Sequence, residues 1–332
     1  MISKFRIGAL VIILNFFASV AMIWGQDNPS LLQMAVPSLN IAPDARGGGM
    51  GDMGAATLPD INSQYWNAAK YAFMGSKAGV SLSYTPWLRK LVNDVALVNM
   101  TGYYKLGNSD LQAISASLRY FSLGEVNIWE NIGDVPYGLN PYEMAFDVAY
   151  SRKLSESYSM AVTLRYIRSD MGTDQNDESN AGNAFSADIS GYLEKYVLMG
   201  NAEALWSFGF NLSNIGSKIS YDGGNTNQYL PAKLTLGTGL LYPIDDYNQI
   251  GVYLDLNKYM VPYAPQKEEG ETDADYQTRV DDYKSWSSLS GMLKSFTDSP
   301  NGLLKEIMVS VGAEYSLSLI HISEPTRHAQ IS

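Results

Sequence analysis

The stretch IAPDARGGGMGDMGAATLPDINSQYWN, from Ile41 to Asn67, decides the fold that we predict for this chain. It is rich in glycine and turn-forming residues, and it shows almost none of the alternation that strands require. An apolar amino-terminal segment precedes it, and a long series of alternating segments follows it. A glycine-rich leader ahead of amphipathic strands is typical of a membrane barrel whose lumen holds an amino-terminal plug.

The composition limits the functional classes without choosing the fold. The chain has 332 residues, 23 tyrosines, no cysteine, 17% charged residues and a formal net charge of -11. These values suit a barrel with one apolar and one polar face, and equally a large soluble β protein. The acidic charge argues against a nucleic-acid partner, which needs a basic surface. The lack of cysteine excludes disulfides, thiolate metal sites and a lipoprotein anchor, and we predict no metal site and no cofactor.

The amino terminus has the pattern of a secretory signal peptide. Lys4 and Arg6 precede an apolar run from Ile7 to Trp24, and Gly25 offers a cleavage point. A retained membrane helix would need about 20 apolar residues, and Asn15 interrupts this run. We therefore expect residues 1–25 to be removed after export.

The carboxyl-terminal residues do not look like part of a protein fold. LSLIHISEPTR, from Leu317 to Arg327, matches the translation of a common transposase sequencing adapter. We expect residues 317–332 to be an artefact tail on a fragment that is truncated at its carboxyl end. Both histidines, His321 and His328, lie in this tail. The remaining chain then offers no histidine for a Ser-His-Asp triad, a metal site or a general base.

Ten segments between the leader and the tail alternate with period two, which predicts ten strands near the ~9–11 residues that cross a bilayer. They lie near residues 79–84, 96–100, 113–120, 146–151, 160–166, 185–190, 206–213, 234–240, 250–257 and 307–312. One face of each segment is apolar, and the other carries Ser, Thr, Gly, Asn and the charged residues Arg119, Asp147, Arg165 and Asp188. Alternation of this kind fits a wet lumen, and it fits the solvated face of a soluble sandwich equally well.

The lengths of the connections favour the barrel. Short links follow the second, fourth and eighth segments, the link after the sixth is intermediate, and long links follow the third, fifth, seventh and ninth. Short turns on the periplasmic side and long loops outside mark a bacterial outer-membrane barrel. A signal peptide also places the amino terminus in the periplasm, so the first strand runs towards the cell exterior. The two arguments give the same orientation. The ninth link has charged and then apolar spacing, which predicts one or two short helices.

The predicted fold is thus an all-β, transmembrane antiparallel β-barrel with its glycine-rich leader in or near the lumen. Residues 26–76 form the leader or plug, and residues 77–316 form the barrel, which is incomplete if the chain is truncated. We predict structural plug residues at Asp44, Arg46, Gly51, Asp52 and Gly54. Asp44 and Arg46 are expected to form ion pairs with each other or with lumen residues. No catalytic residue is predicted.

The glycines of GGGMGDMG, from Gly47 to Gly54, could be mistaken for a phosphate-binding loop. They lack the Lys-Ser/Thr pair of a P-loop, and they do not connect a strand to a helix. Close packing of the backbone inside the lumen is the better interpretation.

The segment TPWLRKLVND, from Thr85 to Asp94, joins the first two strands on the predicted outer side. It is more apolar than an exposed loop needs to be. One interpretation is an aromatic-belt anchor with Trp87 at the membrane interface. The other is a partner-docking hairpin, and both remain open. The candidate partner-binding residues are Pro86, Trp87, Leu88, Arg89 and Leu91.

Four stretches resemble the PorV (LptO) family, the outer-membrane shuttle of the type IX secretion system of Bacteroidota. They are IAPDARGGGMGDMGAAT (Ile41–Thr57), YTPWLRKLVND (Tyr84–Asp94), ASLRYFSLGEV (Ala116–Val126) and AYSRKLSESYS (Ala149–Ser159). The resemblance implies a FadL-like barrel of 14 strands with the amino-terminal segment in or near its lumen. About ten strands are present here, which agrees with a truncated fragment.

The resemblance also implies a function that the residues alone do not reveal. It implies a non-enzymatic protein that resides in outer-membrane lipid, although the family is also linked to lipid A deacylation. Proteins of this family bind the C-terminal signal domain of secreted cargo, accept it from the translocon barrel and carry it to the cell-surface attachment complex. A FadL-type passive channel for hydrophobic molecules and a lipid A deacylase are the alternatives, and the absence of histidine weakens the second.

Overall fold

The computed structural model describes residues 32–87, 89–90, 94–107, 110–128, 136–172, 181–200, 202–224, 226–268, 270–298 and 302–317. The predicted signal peptide lies outside these residues, as does the predicted tail after Leu317.

The described part of the leader, residues 32–76, folds into four short helical pieces rather than strands. They are a 3-10 helix at Pro37–Asn40, α1 (Ala45–Gly49), α2 (Ser63–Trp66) and a second 3-10 helix at Ala68–Phe73. None is longer than two turns, so most of the leader's peptide groups cannot pair within a helix.

Ten strands follow the leader and form one antiparallel sheet, which confirms the predicted fold class. Together with two strands of a separate hairpin, β4 and β5, the strands in chain order are β1 (Ala78–Pro86), β2 (Val95–Leu106), β3 (Gln112–Leu123), β4 (Val126–Ile128), β5 (Tyr137–Leu139), β6 (Tyr142–Lys153), β7 (Tyr158–Asp170), β8 (Gly182–Met199), β9 (Ala202–Gly216), β10 (Lys233–Pro243), β11 (Asn248–Tyr259) and β12 (Met308–Leu317). The sheet runs in chain order from β1 to β12, and β4 with β5 forms a separate hairpin. The alternation did not predict this hairpin, because three-residue strands are too short to show a period.

The two faces of the sheet have opposite chemistry. Large apolar side chains point outward and remain exposed, with Val80 72% and Phe185 69% accessible. The inward side chains are mainly small or polar, and they are buried. A soluble sandwich would bury the apolar rows between two sheets, so the exposed rows indicate a lipid-facing wall. Among the described residues, no helix has the length and apolar composition needed to cross a membrane.

The connections alternate in length as predicted. Residues 107–111, 154–157, 200–201 and 244–247 form the short turns, and residues 87–94, 124–141, 171–181, 217–232 and 260–307 form the long connections. The link between β8 and β9 was expected to be intermediate. It has only two residues, because β8 continues to Met199 and Gly200 turns the chain at φ 68°. The last long connection contains α3 (Asp273–Ser285) and α4 (Ser288–Lys294), as its spacing predicted.

The leader lies against both edges of the sheet, β1 and β12, which do not pair with each other. On one side, the Ser83 hydroxyl of β1 donates a hydrogen bond to the carbonyl oxygen of Pro43 at 2.7 Å. On the other side, Arg46 forms an ion pair with Glu314 of β12 at 2.7 Å. The leader therefore connects the first and last strands of the wall.

We predict that the substitution Val148→Arg lowers the free energy of unfolding in lipid vesicles by about 2–4 kcal/mol. Val148 points outward near the middle of β6, and a cation near the bilayer midplane is costly. Leu154→Arg in the short turn after β6 should cost about 0–1 kcal/mol, because this turn reaches the water interface. Urea unfolding of the vesicle-inserted protein measures both. Equal losses for the two variants would contradict a lipid-facing wall.

Candidate functional site

The leader takes its hydrogen bonds from the side chains of the wall. Irregular backbone at membrane depth is tolerated only when protein groups satisfy its N–H and C=O groups. The bonds run from Ser207 Oγ to Ala56 O (2.6 Å), Asn211 Nδ2 to Trp66 O (3.0 Å), Ser159 Oγ to Ala69 O (2.7 Å) and Lys105 Nζ to Met74 O (2.7 Å). Asp255 accepts from the N–H groups of Gly54 (2.9 Å) and Ala55 (3.0 Å). The polar side chains of the lumen thus bind the backbone of the leader and do not line an open pore.

Two oppositely charged side chains hold the peptide groups of Ser38. Its N–H donates to Glu143 of β6 at 3.0 Å, and its carbonyl oxygen accepts from Arg119 of β3 at 2.7 Å. The guanidinium of Arg119 also lies 4.5 Å from the centre of the Tyr65 ring in α2. Both charged groups are buried, and hydrogen bonds to charged groups are stronger than neutral ones. Ser38 is therefore firmly fixed near the outer ends of β3 and β6.

The ring of Trp66 fills the space between Gly47 and Gly54 of the leader. A Cβ atom on either glycine would overlap this ring, so both positions require glycine for a close approach. The indole N–H donates to Asp44 Oδ2 at 2.7 Å, and Asp44 Oδ1 accepts from the N–H of Gly47 at 2.8 Å. Asp44 thus caps α1 and anchors Trp66, rather than pairing with Arg46.

Arg46 finds its carboxylate partners elsewhere. It bonds Asp60 of the leader at 2.6 Å and Glu314 of β12 through Nε (3.1 Å) and Nη2 (2.7 Å). A two-point guanidinium–carboxylate contact fixes direction as well as distance. The turn after α1 then passes through two left-handed residues, Gly51 (φ 85°) and Asp52 (φ 58°). The predicted plug residues therefore lie together, although their roles remain predictions.

A small polar cavity of about 30 Å³ lies between α2, with its flanking residues, and the wall. Its lining combines side chains of the leader with Arg119, Asp147, Arg165 and Asp255 of the strands. Arg165 pairs with Asp147 at 2.6 Å and Asp188 at 2.8 Å, and it also bonds Asn214. These contacts link β6, β7, β8 and β9 inside the lumen. Within the described ranges, no three metal-binding side chains cluster as a metal site would require.

The predicted docking hairpin is described only in part. Pro86, Trp87 and Arg89 are exposed, whereas Leu88 and Leu91 lie outside the described residues. The N–H of Trp87 donates to Val95 O at 2.9 Å and closes the hairpin. A cleft of about 370 Å³ lies between Trp87 and α1, so the hairpin and the leader share one surface. The partner-binding role of these residues stays a prediction.

The connection between β11 and β12 forms a second outer surface. Met292 of α4 is buried against Ala232 and Met260, while Leu289 and Leu293 are 63% and 73% exposed. The leucines are four residues apart, so they share one helical face. The spacing of the two leucines can be read from the sequence. A helix of seven residues is too short, however, for its hydrophobic periodicity to show which face is exposed. No side chain of α3 is buried.

Aromatic contacts join the connection between β11 and β12 to residues 217–232, the connection between β9 and β10. The rings of Tyr229 and Tyr283 lie 5.7 Å apart, and those of Tyr283 and Trp286 lie 5.6 Å apart. Burial raises the pKa of the Tyr229 phenol to about 12, so this side chain is neutral at physiological pH. Hydrogen bonds from Arg279 hold the pKa of Glu271 below its usual range, which favours the ion pair at the base of α3.

With the leader, lumen and outer loops defined, comparison with known proteins gives a family. The family model described as "Type IX secretion system protein PorV" matches residues 25–267. The chain belongs to the PorV family. It is therefore a component of the type IX secretion system and resides in the outer membrane.

Two further comparisons add little to the PorV match. No curated protein matches the sequence. The in-vitro folded OmpT, an outer membrane protein of Vibrio cholerae, is similar with a TM-score of 0.35 and 9% identity. That match covers 73% of this chain and 61% of OmpT, so the chain spans about three fifths of that relative. A likeness at this level says nothing about the site.

We predict that Gly209→Ala destabilises the protein by about 1–3 kcal/mol. A Cβ atom at Gly209 of β9 would overlap the carbonyl oxygen of Ala55, so the leader must shift. Gly49→Ala in α1 is the control, because its Cβ would meet no atom within 4 Å. It should be neutral or stabilise by up to about 1 kcal/mol. Urea midpoints at constant m value measure both changes, and a neutral Gly209→Ala would argue against a leader packed on β9.

We predict that Arg165→Met lowers the free energy of unfolding by about 3–5 kcal/mol, because Asp147 and Asp188 lose their buried partner. The control is Arg168→Met, three residues along β7. Arg168 is more than one third exposed, and its ion pair with Asp170 is long, at 3.9 Å. The loss of unfolding free energy should therefore be much smaller for this variant. Denaturant unfolding compares them, and a similar loss for both would mean that the buried cluster contributes no special stability.

Proposed function

We propose that this PorV-family protein is a non-enzymatic carrier in the outer membrane. It binds the C-terminal signal domain of secreted cargo, receives that cargo from the translocon barrel and delivers it to the attachment complex at the cell surface. Membership of the PorV family supports a secretion role. The finer steps rest on the chemistry of the outer surface.

The exposed leucines of α4 carry the proposal. A folded domain cannot enter the lumen, because the leader occupies it and bonds to the wall along its length. Cargo must therefore be held on the outer loops. Leu289 and Leu293 present an apolar surface there, and exposed apolar patches on water-facing parts of a protein mark interaction sites.

The hairpin between β1 and β2 offers a second contact on the same side of the membrane. Trp87 is 40% exposed beside the cleft that it shares with α1. Tryptophan is enriched among residues that dominate binding energy, and this supports the docking interpretation. An aromatic-belt anchor predicts instead that Trp87 affects insertion into the membrane and leaves cargo binding unchanged.

The two alternatives have less support. A passive channel would require the leader to leave the lumen, which breaks its bonds to Asp255, Ser207 and Asn211 together. A deacylase would need an accessible nucleophile beside a base, whereas the hydroxyl of Thr57 and the amine of Lys70, 3.1 Å apart, are both buried. Uptake of long-chain fatty acid by vesicles tests the channel, and mass spectra of treated lipid A test the deacylase.

We predict that Leu289→Asp with Leu293→Asp weakens capture of a secreted protein bearing a C-terminal signal domain by at least about tenfold. Loss of a buried interface anchor typically costs more than the 1.4 kcal/mol that corresponds to this factor. Leu198→Asp is the matched control, since Leu198 is 77% exposed but lies on the short-turn side. Co-purification with detergent-solubilised protein provides the measurement.

Unchanged cargo capture by the double variant would exclude α4 as the contact. An equal loss for Leu198→Asp would show that any exposed aspartate disturbs the protein. Trp87→Ala is measured in parallel, with membrane insertion and cargo capture recorded separately, because only the docking interpretation predicts a selective loss of capture.

A further inference from the structure

The described part of the leader begins beside a long connection of the sheet. The N–H of Ala35 donates to the carbonyl oxygen of Tyr229 at 2.9 Å, within residues 217–232 between β9 and β10. Val36 and Leu39 are buried with Ile167 and Ala184, which lie close to the ends of β7 and β8 at the long connections. The first described residues of the leader are thus bound at the end of the wall that carries the long connections.

From there the leader passes through the whole depth of the lumen. Ser38 is held by Glu143, the second residue of β6, whereas Met74 is held by Lys105, next to the last residue of β2. Glu143 pairs with residue 121 of β3, and Lys105 pairs with residue 113 of the same strand. These eight residues correspond to roughly 26 Å along the strand. The leader then enters β1 at the short-turn end.

Long connections face the cell exterior in an outer-membrane barrel, and short turns face the periplasm. We infer that residues 32–36, the first described residues of the leader, lie on the exterior side of the lumen. From there the leader runs inside the lumen towards the periplasm, where β1 begins. A partner that contacts this end of the chain is then a surface or secreted protein rather than a periplasmic one.

The same end of the leader packs against the long connections of the sheet. Tyr229, which bonds Ala35, packs against Gly291 of α4 so closely that a Cβ atom there would meet its ring at 2.7 Å. Tyr229, Ala35 and Val36 are themselves buried, so packed contacts join the first described residues of the leader to the connection 217–232 and to α4. Gln33 remains exposed beside them.

Single cysteines test the inference cleanly, because the chain contains none. Gln33→Cys, Asp282→Cys and Glu156→Cys place one thiol at the leader start, in α3 and in the short turn after β6. Intact cells that make the full chain are treated with a membrane-impermeant maleimide, then permeabilised and treated again with a second maleimide. A third portion is denatured to confirm that each thiol is present.

We expect Gln33→Cys and Asp282→Cys to react in intact cells, and Glu156→Cys to react only after permeabilisation. Asp282→Cys and Glu156→Cys fix the orientation of the wall. Reaction of Gln33→Cys only after permeabilisation, or only after denaturation, would overturn the inference. So would reaction of Glu156→Cys in intact cells. The result does not depend on cargo, so it separates this inference from the proposed carrier function.

Discussion

A peptide group without a hydrogen-bond partner is costly in lipid, and this constraint governs the whole molecule. In the ten-stranded sheet, the strands of all nine neighbouring pairs satisfy one another's peptide groups directly. The leader has no sheet of its own, so its peptide groups depend on Glu143, Arg119, Asp255 and the hydroxyl and amide side chains of the lumen. Wall and leader are therefore complementary: each supplies groups that the other needs.

The charged side chains inside the lumen follow from the same constraint. Asp147, Arg165 and Asp188 lie on neighbouring strands and are almost fully buried, so their mutual contacts must replace water. Hydrophobic burial adds to this cohesion only in small clusters between the leader and the wall, such as Tyr71 with Tyr103 and Tyr192, because most large apolar side chains of the strands face outward. Specificity inside the wall comes instead from directed polar contacts, and glycines such as Gly209 and Gly237 let the leader approach closely enough to make them.

The alternation of the strands was strong enough to predict all ten members of the sheet and the direction of their faces, because membrane strands must keep their period over their full length. The lengths of the connections gave the orientation. Local pattern does not determine contacts between distant residues. The pairing of Arg46 with Glu314 spans 268 residues, and the hydrogen bond from Trp66 to Asp44 spans 22. The β4–β5 hairpin is too short to show a period, and the exposure of Leu289 and Leu293 on the predicted helix depends on contacts with other connections, so these surfaces became visible only in three dimensions.

The contact between Arg46 and Glu314 also bears on how the chain folds. Contacts between residues far apart in sequence lower folding rates, since a long loop must be ordered before they form. Here the first 3-10 turn bonds β3 and β6, whereas Arg46 of α1 can pair with Glu314 only after β12, far along the chain, has been made. We therefore expect slow maturation through partly assembled intermediates whose unpaired edges are prone to aggregation, and a corresponding dependence on periplasmic chaperones.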